Sequence, residues 1–128
     1  IAGPYTLQAA IAACHARARK ANETDWGQIA ALYSLLNQVT PSPVIELNRA
    51  VAVSMSEGPE AALPLVDALL NSAVLENYHL LYGVRGDLLR KLGRHGEANE
   101  EFRRAAALTR NEREKAYLLT RAAEESEP

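Results

Sequence analysis

Apolar residues recur along this chain at spacings of three and four, the period that lines one face of an α-helix. Tyr82, Gly86 and Leu89 share one helical stripe, Leu92-Gly93 closes that helix, and Ala98, Phe102, Ala105 and Leu108 form the stripe that packs back on it. The first helix opens at Gly3-Pro4, with Pro at the first helical position where its missing N–H costs nothing, and runs to about residue 21. Leu7, Ile11, Cys14 and Ala18 face its core side, and Tyr5, Gln8, Ala12, His15 and Arg19 make a second stripe beside them. A turn at 21–24 leads to Asp25 and Gln28, a capping box for a second helix with Ile29, Leu32, Tyr33 and Leu36 on its buried face. That helix ends at Thr40-Pro41, and Ser42-Pro43 caps and starts a third, from 44 to about 56. Val44, Ile45, Leu47, Ala50, Val51, Ala52, Val53 and Met55 surround the third helix with apolar groups, which makes it the central one. Glu57-Gly58-Pro59 breaks the chain, and Ala61, Ala62, Leu65, Val66, Leu69 and Leu70 mark the returning helix, with Pro64 still in its early turns. After a link at 71–77 and the helix pair already described, Asn111 and Glu114 form another capping box. Tyr117, Leu118 and Ala122 give a last amphipathic helix, and the acidic residues 124–128 read as a frayed tail.

Several polar residues interrupt these apolar stripes, and each has a structural and a functional reading. Projected at the helical period, Asn48 falls among Val44, Ala52, Ile45 and Met55, and Arg49 falls between Ile45 and Val53. An unpartnered buried amide or guanidinium costs on the order of a few kcal/mol, so each needs a partner or a groove. Structurally, Asn48 bonds an adjacent helix and Arg49 pairs with Glu46; functionally, both meet a binding partner. Arg85 projects between Leu81, Leu88, Leu89 and Leu92 and stays charged, so it calls for a carboxylate, with Asp67 or a glutamate such as Glu97 as candidates. A register-fixing ion pair is the reading we prefer there. Tyr5 and His15 are either half-buried edge residues or contacts, and Trp26 at a helix start plugs the gap between neighbouring helices. Asp87, Arg90, Lys91 and Arg103-Arg104 read as solvated faces. The candidate partner-binding residues are therefore Tyr5, Gln8, His15, Asn48 and Arg49, with Arg85 a weaker one.

Composition narrows the function classes. Hydrophobic residues are 48% of the 128 and aromatics only 5%, with alanine dominating, so helices can approach closely. A formal net charge of −2 leaves a phosphate-neutralising surface to local clustering, and no such cluster is evident, so direct nucleic-acid binding is not expected. The single cysteine, Cys14, forbids an internal disulfide and fits a reducing cytoplasmic setting. No spacing suits a metal or a cofactor, no nucleophile has a base at motif spacing, and no glycine-rich phosphate loop is present, so an enzyme is not expected. No apolar run suits a bilayer and no signal peptide is visible; a start at Ile1 suggests a segment of a longer chain.

The pattern from Tyr82 to Asn111 resembles a tetratricopeptide repeat, which places an aromatic, a Leu, a Gly and a Tyr on its first helix, then Ala, an aromatic, Ala and Pro. The aromatic, Gly, Ala, Phe and Ala positions match, whereas Arg85 stands in place of Leu and Arg110 in place of Pro. The resemblance implies an all-α, right-handed superhelical array of antiparallel helix pairs, about seven helices in one domain spanning 1–128. The pairs would lie at about 4–41, 42–75 and 77–110, with a capping helix at 111–125 covering the last apolar edge. Asn48 would then face the concave side, which such arrays use to hold peptides. More specifically, Gly3-Pro4-Tyr5, Leu7 to Ala13, Thr24-Asp25-Trp26, Gln28-Ile29, Leu32-Tyr33, and Pro41-Ser42-Pro43-Val44 with Leu47-Asn48-Arg49-Ala50-Val51-Ala52 resemble the C-terminal extension of certain bacterial extracytoplasmic-function sigma factors. That resemblance implies a regulatory region contacting the sigma core domains, RNA polymerase or a regulatory protein, with promoter DNA read by preceding domains. A tetratricopeptide-type peptide-binding adaptor unrelated to transcription is the alternative.

Overall fold

A computed structural model describes residues 3–17 and 24–126. Among them are seven α-helices and no strand: α1 Pro4–Arg17, α2 Trp26–Val39, α3 Pro43–Glu57, α4 Pro59–Leu69, α5 His79–Lys91, α6 His95–Leu108 and α7 Glu112–Ser126. A short 3-10 turn, Ala73–Leu75, sits in the link before α5 and buries Leu75 in the core. The first helix is described only to Arg17, so the expected extension to 21 and most of the turn at 21–24 lie outside the described residues.

The helix ends follow from local side-chain chemistry. Asp25 Oδ1 accepts a hydrogen bond from the Gln28 N–H at 3.0 Å, Ser42 Oγ from Val44 N–H at 3.2 Å, and Asn111 Oδ1 from Glu114 N–H at 2.9 Å, each satisfying an orphan donor of a first turn. Ser42 is itself held by its N–H, which donates to Asn37 Oδ1 at 2.9 Å. At the end of α5, Gly93 adopts φ 79°, and the N–H groups of Gly93 and Arg94 donate back to the carbonyls of Arg90 and Leu89. These crossed bonds form a Schellman motif, which favours glycine because the left-handed backbone disfavours a Cβ.

Consecutive helices pack as hairpins, α1 on α2, α3 on α4 and α5 on α6, and the hairpins stack through α2 on α3, α4 on α5 and α6 on α7. Polar contacts give the directions. The start of α7 meets the start of α5, where Glu114 Oε1 lies 2.6 Å from His79 Nε2. The far end of α7 meets the start of α6, where Glu125 Oε2 lies 2.5 Å from His95 Nδ1. Thus α5 and α7 run together and α6 runs against both. The molecule is an all-α array of stacked helix pairs, as the tetratricopeptide resemblance implies.

Two buried clusters hold it together. A small one joins Leu7, Ile11 and Cys14 of α1 to Ile29 and Leu36 of α2 and Ala52 of α3, with Trp26, Leu32, Tyr33 and Ile45 packed against it. A much larger one runs from Leu47, Ala50 and Val53 of α3 through α4, α5 and α6 to Leu118 and Ala122 of α7. The central helix α3 feeds both. Close approach of α5 and α6 depends on Gly86, where an added Cβ would lie 2.9 Å from the Phe102 ring.

Several expectations need correction here. Tyr5 is not a half-buried edge residue but 87% exposed, and Tyr117 is 57% exposed rather than on the buried face of α7. Tyr117 yields the core to Leu118 and Ala122 because α7 rolls its tyrosine toward α3 and α5. The acidic tail is not frayed at its start: α7 continues to Ser126, and Glu125 is buried beside His95. Residues 127 and 128 lie outside the described part.

Candidate functional site

The odd-numbered helices α1, α3, α5 and α7 supply most of the lining of two hollows, with Tyr33 and Leu36 of α2 at the base of one and Phe102 of α6 reaching the other. On α3, Val44, Asn48, Val51 and Met55, spaced four, three and four apart, form one face of that helix, and Ile45 and Ser54 flank it. Val44 and Asn48 belong to a hollow toward the N-terminal end, and Val51 and Met55 belong to one toward the C-terminal end.

The N-terminal hollow has a volume of about 390 Å³. Gln8 and Ala12 of α1 form one wall, Val44, Ile45 and Asn48 of α3 the other, and Ile11, Tyr33 and Leu36 the base. Its polar groups are two carboxamides and a phenol, none of them charged at neutral pH. Burial raises the Tyr33 pKa above its ordinary value, keeping the phenol a neutral donor and acceptor. Among the described residues, none of these three side chains has a hydrogen-bond partner. Two of the candidate contacts, Gln8 and Asn48, thus come from different helices onto one hollow.

The remaining candidates divide. Tyr5 is exposed at the start of α1, and His15, one stripe position on from Ala12, is exposed with its ring edge-to-face against Trp26 at 5.4 Å. Trp26 itself is partly buried against the small core, in keeping with a gap-filling role. Arg49 is occupied: Nη2 donates to Glu46 Oε1 at 2.7 Å and Nε to Glu46 Oε2 at 3.1 Å. Its guanidinium is held further above its ordinary pKa by that hydrogen bond, which outweighs partial burial. Glu46 also accepts from Asn37 Nδ2 at 3.3 Å, so Arg49 belongs to a brace between α2 and α3.

Arg85 faces away from both hollows, toward α4 and α6. Its Nε donates to Asp67 Oδ1 at 2.8 Å, and its Nη1 lies 3.5 Å from Glu101 Oε2. Asp67 was anticipated, whereas the second carboxylate is Glu101 rather than Glu97, which pairs with Arg94. Burial raises the Glu101 pKa and the charge of Arg85 only partly offsets it, since the long contact leaves Glu101 Oε2 without a hydrogen bond. Burial also works against the charge on Arg85, but the Asp67 bond and the two carboxylates outweigh it and raise the Arg85 pKa. The two directions are compatible because Asp67, not Glu101, supplies the strong bond.

The C-terminal hollow, about 440 Å³, was not anticipated. Val51 and Met55 of α3, Leu80, Gly83 and Val84 of α5, and Tyr117 and Leu118 of α7 form its apolar lining. Glu114 stands at one end, and Asp87, Lys91 and Arg121 stand at the other. Asp87 is not a solvated charge: it accepts from Arg90 at 2.8 Å, lies 3.1 Å from Lys91 Nζ, and meets Arg121 at 3.4 Å. Burial pushes the Asp87 pKa up, but the hydrogen bonds from Arg90 and Lys91 prevail and leave it lowered. Arg121 lies over the Phe102 ring at 5.1 Å and donates to Tyr117 Oη at 2.8 Å. The available signal was the spacing Leu80, Val84, Asp87, Lys91, which repeats on α5 the positions Val44, Asn48, Val51, Met55 on α3.

Among the described residues no three His, Cys, Asp or Glu side chains converge as a metal site would need, and no helix is long and apolar enough to cross a membrane. No family model matches the chain. Over 116 residues, 91% of the chain, it is 53% identical to an uncharacterized protein of Rhizobium meliloti (strain 1021). The matched stretch is 27% of that protein, so the chain spans about a quarter of the length of the curated relative it matches.

Proposed function

We propose that this helical array is a regulatory region of a bacterial extracytoplasmic-function sigma factor. It would act without catalysis, through contacts with the sigma core domains, RNA polymerase or a regulatory protein in the cytoplasm. The observation that carries this reading is the convergence of Gln8 and Asn48. Two of the three stretches that resemble the sigma-factor extension, one in α1 and the most specific one in α3, supply opposite walls of a single hollow. Tyr33, from a third such stretch, completes its base. The high identity to part of a much longer bacterial protein supports a role exercised on behalf of other domains.

The mechanism is a population shift. A segment of the sigma core or its linker seated in the N-terminal hollow biases the protein between promoter-competent and promoter-incompetent arrangements, by no more than its difference in affinity for the two. Carboxamides suit this task, since each offers both a donor and an acceptor to a peptide backbone without the cost of desolvating a charge.

The test is run-off transcription with RNA polymerase and the longer protein that this reading requires. Ala12→Trp, which fills the hollow from an exposed helix position, and Asn48→Lys should each change transcript yield about fivefold or more, with melting temperature unaltered. Unchanged yield in both variants, or no transcription directed by the longer protein, overturns the reading; the latter result would favour an adaptor outside transcription.

A further inference from the structure

Two glycines lie three residues apart within α5, and only one has a reason inside the fold. At Gly86 a Cβ would strike Phe102, whereas at Gly83 it would meet nothing within 4 Å. Neither has a positive φ, so backbone conformation does not call for glycine at 83. A mid-helix glycine is unfavourable relative to alanine, and here no neighbour compensates. Gly83 lines the C-terminal hollow, bordered by Met55 and Leu80, which are 48% and 45% exposed, and by Tyr117. A bare stretch of helix backbone at the base of an open apolar trough is what close approach of another backbone requires.

The chemistry of the lining selects the kind of backbone. Apart from the hydroxyls of Ser54 and Tyr117, the second already taken by Arg121, the polar lining residues are the charged groups at the two ends of the trough. An extended peptide laid there would bury main-chain N–H and C=O groups with nothing to bond, whereas a helix satisfies its own. The ends add a polarity. At one end Lys91, Arg90 and Arg121 share the carboxylate of Asp87; Arg90 and Arg121 also reach Glu125 and Glu124, whereas among the described residues Lys91 has no other ion pair. At the other end stands Glu114, beside His79.

We infer that the C-terminal hollow docks an amphipathic helix from a protein partner. Its apolar face lies on Met55, Leu80, Val84 and Tyr117, its backbone passes over Gly83, and an acidic side chain at one end meets Lys91. The site is separate from the Gln8 and Asn48 hollow and stands whether or not the chain serves transcription.

The probe is a fluorescein-labelled, end-capped amphipathic helical peptide with leucines at i, i+3, i+4 and i+7 and two glutamates at one terminus. A version with the glutamates at the opposite terminus, one with lysines replacing them, and a scrambled control accompany it. Fluorescence anisotropy with the 128-residue chain should show saturable binding of one glutamate-bearing peptide, weaker binding of the lysine version and none of the scramble. Gly83→Ala should raise the melting temperature by about 2–6 °C, since it adds helix propensity without a clash, while weakening peptide binding. Gly83→Leu should weaken binding about tenfold or more, and Lys91→Glu should reverse the preference between glutamate and lysine peptides. Equal binding by wild type and Gly83→Leu, or no binding of any helical peptide, overturns the inference. Sedimentation showing a dimer that Gly83→Leu abolishes overturns it as well, by making a second copy the occupant.

Discussion

In the N-terminal hollow every polar group is a neutral amide or phenol, whereas the C-terminal hollow ends in a cluster of cations around Asp87. The cores beneath them differ in the same sense. The N-terminal hollow rests on a handful of apolar residues from α1, α2 and α3, and the brace beside it, Asn37 to Glu46 to Arg49, joins only α2 to α3. The C-terminal hollow rests on the large cluster, tied across helices by Arg85 to Asp67 and Glu101, His79 to Glu114, and His95 to Glu125. Repetition of one helix-pair design thus yields two surfaces with different demands. The first suits a peptide that needs hydrogen-bond partners, the second a helix that brings its own.

This contrast predicts unequal responses to mutation. Arg85→Met should destabilise the whole array by about 3 kcal/mol, because it leaves the buried Glu101 with only the long 3.9 Å contact to Arg104 as countercharge. Chemical denaturation monitored by far-ultraviolet circular dichroism measures it. Loss under about 1 kcal/mol would mean that Glu101 is neutral in the fold at the working pH. Ile29→Ala, at a fully buried position of the small core, should cost about 3 kcal/mol but locally. Native-state hydrogen exchange should show faster opening of α1 and α2 while α5 and α6 keep their protection. Uniform acceleration across all helices would merge the two regions into a single cooperative unit.

Gly86→Ala should cost about 1–3 kcal/mol, since the new methyl must displace the Phe102 ring within a filled core. The same change three residues earlier, at Gly83, is expected to stabilise, so thermal melts of the two variants should move in opposite directions.

The smallest expected effect is that of Glu101→Gln. A carboxyl whose pKa is raised on folding holds its proton more tightly in the native state. That contribution is complete below the ordinary value near 4.5 and is lost as pH rises through the raised value. Replacing it with the isosteric amide should flatten that part of the stability profile and leave stability at pH 7 within about 1 kcal/mol of wild type. Melting temperatures measured across pH 3 to 8 would check the sign.

Most of the fold was legible in the residues, because caps and breaks act within a few positions. Asp25, Ser42 and Asn111 bond the N–H groups two or three residues on, and Gly58 and Gly93 take the positive φ that their breaks require. The Arg85 to Asp67 pair was also legible, since a guanidinium on an apolar stripe demands a carboxylate. The choice between Glu97 and Glu101 was not. The two stand four residues apart on one stripe of α6, and only the register of α6 against α5 decides which turn faces Arg85. Glu125 was missed for a similar reason, because a glutamate in an acidic tail looks solvated until the end of α7 is laid beside His95. The C-terminal hollow escaped notice because it is assembled from α3, α5 and α7, which are distant in sequence, and because Asp87 and Lys91 resemble surface charges when each helix is considered alone.

On these two proposals the odd-helix face, and not the outer surface, meets partners at two chemically distinct places. A photo-crosslinking residue placed in turn at Asn48, at Leu80 and at the exposed, outward Arg103 of α6, within the longer protein and in the presence of RNA polymerase, tests it most directly. Strong crosslinks are expected from 48 and from 80, each to a different segment, with background labelling from 103. Equal labelling from all three positions, or strong labelling from 103 alone, would contradict it.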